Sequence, residues 1–148
     1  MTSLTVRATE VMGVASIIDP DAYTASTYLT GAIDMSKWGR VVFIVMAGDL
    51  GSSATVDFKV TEAATSGGSY SDITGKAITQ LTQAGTDDNK QALVEVLASE
   101  LGSGKQFLKG SLTVGTATSD AGVIVLGFHP RFGPATDQDA TTVDEVVA

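Results

Sequence analysis

The stretch from Trp38 to Ile73 limits the choice of fold more than any other part of the chain. Val41-Val42-Phe43-Ile44-Val45-Met46 is an unbroken apolar run between Gly39 and Gly48, the pattern of a strand covered on both faces. Gly48-Asp49-Leu50-Gly51-Ser52-Ser53 follows as a turn, and residues 54 to 62 then alternate. Ala54, Val56, Phe58 and Val60 point to one side; Thr55, Asp57, Lys59 and Thr61 point to the other. Ser66-Gly67-Gly68-Ser69 turns the chain into Tyr70-Ser71-Asp72-Ile73. Period-two patterning broken by glycine turns predicts an antiparallel sheet that presents little reactive chemistry.

The 148 residues suffice for one domain with a real core. Apolar content of 43% excludes a disordered chain, and abundant Thr, Ser and Gly favour strands and turns over helices. No apolar run approaches the ~20 residues of a membrane-spanning helix, and no secretory h-region follows Arg7. The net charge of −8, with nine scattered Lys and Arg, gives no basic face for nucleic acid. Cysteine is absent, which removes disulfides, thiolate catalysis and cysteine-ligated zinc. Packing or partners must hold this fold.

Three regions follow from the pattern. Residues 1–32 are short pieces that form an N-terminal arm or the first edge strands; Asp19-Pro20-Asp21 breaks the apolar segment Val11 to Ile18. Residues 33–132 are the β-sandwich or jelly-roll core. Its expected strands are Arg40–Ala47, Ala54–Glu62, Tyr70–Ile73, Ala77–Leu81, Gln91–Leu97, Gln106–Val114 and Val123–Leu126. Thr74-Gly75, Gly102-Ser103-Gly104 and Ser119-Asp120-Ala121-Gly122 are read as turns between them. Lys90 to Leu101 also offers a helical face, but strand is preferred for 91–97 with a helical turn near Ala98 to Leu101. Pro130 and Pro134 take the chain out of the sheet, and residues 133–148 form an acidic tail with Asp137, Asp139, Asp144 and Glu145. The expected core comprises Val42, Phe43, Val45, Val56, Phe58, Val60, Leu112, Val114, Ile124 and Leu126.

Few residues offer catalysis. The single imidazole, His129, sits in His-Pro-Arg-Phe without a Gly-x-Ser-x-Gly elbow, so a structural or interface role is the simpler reading. Gly102-Ser103-Gly104-Lys105-Gln106 lacks the first glycine and the final Ser/Thr of a phosphate loop and reads as a hairpin turn. Asp87-Asp88-Asn89 and Asp137-x-Asp139 supply oxygens but do not continue as calcium loops. Asp57, Glu62 and Glu95 lie on strands, with Asp57 and Lys59 read as a surface pair. Trp38, Tyr28 and Tyr70 are the aromatics available to a sugar-stacking platform, although each adjoins a strand start, where aromatics usually pack inward. No metal, cofactor or catalytic residue is assigned.

The run Ile33-Asp34-Met35-Ser36-Lys37-Trp38-Gly39-Arg40-Val41-Val42 resembles the start of the core in small structural proteins of tailed bacteriophages. The resemblance continues through Val56 to Glu62, Tyr70 to Gly75, Asp87 to Lys90, Phe107 to Gly110 and Gly127 to Phe132, covering about residues 33 to 132 as an ordered pattern. It implies a β-sandwich or jelly-roll protein of the virion, and first among such proteins a decoration (cement) protein on the capsid exterior, made in the host cytoplasm. The major capsid protein would be its partner. A tail, neck or fibre-associated adaptor and a carbohydrate-binding β-sandwich module are the alternatives.

Two expectations concern contacts. A cysteine-free apolar chain with free ends is expected to form a homo-oligomer, a trimer in preference to a dimer. Partner contacts are expected at the ends: Leu4, Val6 and Arg7, then His129, Arg131, Phe132, Asp137 and Asp139. The central sheets satisfy their own backbone hydrogen bonds, whereas the ends do not.

Overall fold

A computed structural model describes residues 5–148; the expected contact Leu4 lies outside the described residues. One helical turn, α1 (Ala8–Val11), precedes ten strands: β1 (Met12–Tyr23), β2 (Ser26–Leu29), β3 (Ile33–Asp34), β4 (Trp38–Ala47), β5 (Thr55–Ala63), β6 (Ser71–Ala77), β7 (Leu81–Thr82), β8 (Gln91–Leu97), β9 (Phe107–Gly115) and β10 (Ser119–Pro130). Sheet A has the order β1-β10-β4-β8, and sheet B the order β2-β9-β5-β6, with β3 on β9 and β7 on β5. The chain passes from one sheet to the other at β1–β2, β3–β4, β4–β5, β7–β8, β8–β9 and β9–β10, and all pairings are antiparallel. The result is a jelly roll, the expected sandwich class.

The core lies between the sheets. Phe43, Val45, Val56, Phe58, Val60, Leu112 and Val114 are buried as expected, and Phe43 packs on Phe58 with ring centroids 5.6 Å apart. Val42, Ile124 and Leu126 are not in that core. They are half-buried and sit on the outer side of sheet A, because strand parity sends Val41, Phe43 and Val45 inward and their neighbours outward. Trp38 is 2% exposed and closes one end of the core. Its ring lies where β-carbons on Gly13 and Gly127 would stand, so two paired glycines make its seat.

Other differences have local causes. Asp19-Pro20-Asp21 does not break β1; the edge strand absorbs the proline in a register shift between Ile18 and Asp21. Ser119 to Gly122 is not a turn but the start of the twelve-residue β10, held by β1 on one side and β4 on the other. The turn falls just before it, where Thr116 takes a left-handed φ of 71°. Thr74-Gly75 is likewise inside β6, Gly75 adopting φ 78° within the strand. Gln91–Leu97 is a strand followed by the short helical turn Ala98–Glu100, as read.

Both terminal regions belong to the domain. β1 and β2 are edge strands of sheets A and B. After Pro130 the chain folds back: Ala135 is buried, the Val14 N–H donates to Asp139 Oδ1 at 2.7 Å, and Ala140 N–H donates to the Val14 carbonyl. These two bonds cover part of the free edge of β1, a standard protection against edge-to-edge pairing.

Candidate interaction surface

The outer faces of the two sheets differ in chemistry. On sheet B the outward positions of β5 and β9 carry Thr55, Asp57, Lys59, Thr61 and Lys109, Ser111, Thr113. Lys59 Nζ pairs with Asp72 at 2.8 Å, across to β6, and Asp57 accepts from Gln80 Nε2. The expected Asp57–Lys59 pair is therefore replaced by one cross-strand ion pair and one hydrogen bond from the connection between β6 and β7. This face is polar, with Thr61 and Ser111 buried beneath the longer side chains.

Sheet A turns apolar side chains outward. The register aligns Ile17, Ile124, Ile44 and Leu93 in one row across all four strands. Val14, Leu126 and Val42 form the next row, ended by Glu95, and Met12 and Phe128 lie beyond it beside Arg40. On the other side Gly122 and Met46 stand beside Gln91. Leu93 is 67% exposed and Met46 50%. Arg40 and Glu95 neutralise each other at 3.0 Å. These rows make a contiguous apolar surface, half-buried in its middle and exposed at Leu93 and Met46.

A groove of about 790 Å³ opens at one end of this face, lined by Ile17, Pro20, Met46, Gln91, Gly122 and Ile124 among others. Pro20 of the β1 bulge packs over Gly122, in the space a side chain there would take, and forms one wall of the groove. The lining is largely apolar and holds no imidazole, so it suits an apolar knob better than a reacting group.

The expected contact residues meet at the opposite end of the sandwich. α1, which follows Val6 and Arg7, packs against the turn at 135–138 and against β10. Val6 is exposed, and the Arg7 N–H donates to Glu10. His129 takes a left-handed φ of 53° beside Gly39, Arg131 N–H donates to the Lys37 carbonyl, and Phe132 is 72% exposed. Asp137 is exposed, whereas Asp139 is committed within the chain to Val14. The ends thus carry some free groups, but the broad apolar surface lies elsewhere. Sequence reading missed it by assigning Val42, Ile124 and Leu126 to the core. The signal was present in the apolar run Val41 to Met46, which needs cover on both sides.

The polar clusters serve the fold. Asp87 accepts from the Thr82 N–H, which pulls its carboxyl below the ordinary value, helped by Lys90. Asp88 accepts from Leu50 N–H, and Asn89 N–H donates to Gly48 with φ 57°, so the loop acids tie turns together. Glu62 accepts from Gly102 N–H in the tight turn closed by Lys105 N–H to the Gly102 carbonyl. No group of three metal-ligating side chains occurs among the described residues. The three aromatics named for a sugar platform are dispersed. Trp38 is sealed in the core, Tyr70 carries Lys109 Nζ 4.7 Å over its ring, and Tyr28 packs against Tyr23 at 4.3 Å.

No helix among the described residues is long and apolar enough to cross a membrane. No family model matches the chain, and no curated protein matches it. Among solved structures it is similar to a family 11 carbohydrate-binding module from Clostridium thermocellum, in complex with a β-1,3-1,4-mixed-linked tetrasaccharide. That match has 14% identity and a TM-score of 0.37 over 86% of this chain and 93% of the other. A likeness at that TM-score carries no argument about ligand, and nothing in the comparisons points to a phage protein.

Proposed function

We propose that this chain is a non-enzymatic binding and structural jelly roll that works by burying the outer face of sheet A against protein. One observation carries the reading: the row Ile17, Ile124, Ile44 and Leu93 is apolar across every strand, while the equivalent face of sheet B is polar apart from the exposed Leu29 at its β2 edge. The strand acids Asp57, Glu62 and Glu95 are held by different partners, and His129 stands apart from them, which supports a role without chemistry. Acidic charge and the lack of a basic rim favour protein over nucleic acid or an anionic membrane.

The finer reading, a capsid decoration protein bridging capsomers on the virion exterior, rests on the sequence resemblance. A cement protein stabilises a shell because separating subunits also breaks its own contacts. Filled heads lacking the protein should rupture at lower temperature than decorated heads. Unchanged rupture, or absence of the protein from purified particles, would remove this role. A copy number of a few per particle would shift it to a tail or neck adaptor.

The carbohydrate-binding module is the second reading. Its aromatic surface would be the Tyr23–Tyr28 pair, whose tilted rings lie partly open at the end of the sandwich. Glycan-array binding that Tyr28→Ala abolishes would establish it in place of the protein-docking role.

A further inference from the structure

We infer that the outer face of sheet A is covered by a second copy of this chain, packed face to face about a two-fold axis that runs along the row from Ile17 to Leu93. The inference rests on the reading that this face is the working surface, and it names the occupant.

Three features select a second copy. Size is the first. Four strands ~4.8 Å apart, over ~8 residues at ~3.3 Å each, give a face of about 19 by 26 Å in projection. With side-chain relief, that approaches the ~800 Å² per partner of a stable interface. Charge is the second. Two chains of net charge −8 repel, yet this face carries the balanced pair Arg40–Glu95 within its apolar field, so its central rows meet without a charge penalty.

Shape is the third. Leu126 and Val42 stand two residues to one side of the row formed by Ile124 and Ile44, and Gly122 and Met46 stand two residues to the other. A two-fold along that row exchanges the two sides. Leu126 of one copy then enters the groove between Pro20 and Met46 of the other, and Arg40 comes beside the second copy's Asp120. A single self-complementary patch closes as a dimer; a trimer needs two different patches on each copy.

The chain has no cysteine, so one introduced thiol reports on one position. Leu93 lies on the axis row and is 67% exposed on an edge strand, which makes it a substitution site that leaves the core intact. Wild-type protein at about 50 µM should sediment at twice the 15.2 kDa chain mass. Leu93→Asp, present twice per dimer, should raise the dimer dissociation constant at least ~100-fold. Under mild oxidation Leu93→Cys should form a covalent dimer, while Thr27→Cys on the outer face of sheet B should not. A wild-type monomer at that concentration overturns the second copy. So does oligomerisation that Leu93→Asp leaves unchanged, or equal cross-linking from Leu93→Cys and Thr27→Cys. If the protein is monomeric but Met46 is shielded on a cognate particle, the second copy falls and the docking face stands.

Discussion

Ile44 and Ile124 stand directly opposite each other on β4 and β10, with both side chains turned away from the core. Their neighbours in sequence, Phe43 and Val125, are fully buried on the inner side. Adjacent residues of one strand therefore have different duties, and substitution should separate them. In protein dilute enough to be monomeric, Phe43→Ala should cost ~3–5 kcal/mol of unfolding free energy. Ile44→Thr should cost less than about 1 kcal/mol in the same experiment. Urea unfolding of both variants checks the assignment of faces; equal losses would refute it.

The seat of Trp38 gives a second prediction. A β-carbon on Gly127 would overlap the indole, whose ring is sealed in the core. Gly127→Ala should destabilise the domain by ~1–3 kcal/mol through overpacking. The near-ultraviolet circular dichroism of the single tryptophan should change with it. Unaltered stability and spectrum would mean that the ring does not rest there.

The returning tail gives a third. Asp139 and Ala140 bond both backbone groups of Val14. Asp139→Ala should cost about 1 kcal/mol and speed hydrogen exchange of the Val14 amide, while amides in the centre of β10 stay slow. Slow exchange at Val14 in the variant would show that the tail does not guard this edge.

Acid should weaken the fold through three carboxyls. Burial pushes Asp34 up, but hydrogen bonds from Ser36 and Gln106 and the charge of Lys37 outweigh it, so its pKa is lowered. The Leu97 N–H, then Lys76, lowers Glu100, and the Thr82 N–H lowers Asp87 in the same way. A carboxyl lowered by folding adds stability that is complete above its unfolded value of about 4 and is lost as pH falls through the folded value. The melting temperature should be flat above about pH 5 and decline below about pH 4. Asp34→Asn should make the acid decline shallower; an unchanged slope would contradict this assignment.

The sandwich was legible because alternation at residues 54 to 62 reports a half-buried strand directly. The bare face was not. An apolar run states that both sides avoid water, but not whether the second cover comes from the same chain. β10 was half hidden for a different reason. Ser119, Asp120 and Gly122 have turn composition, and only pairing with two neighbours makes them strand. Pro20 misled because an edge strand tolerates a residue that a central strand rejects. The ends were expected to carry partner contacts, whereas the bond of Asp139 to Val14 depends on where the tail lands, which no local pattern encodes.

Methionine oxidation tests the docking face most directly. Met46 lies on it at 50% exposure, and Met35 lies in the core at 3%. Hydroxyl-radical footprinting should be run on dilute and on concentrated protein. Met46 should oxidise readily when dilute and several-fold more slowly in an associated state, with Met35 slow throughout. Equal oxidation of Met46 in both samples would show that the outer face of sheet A stays in water, and would contradict the account.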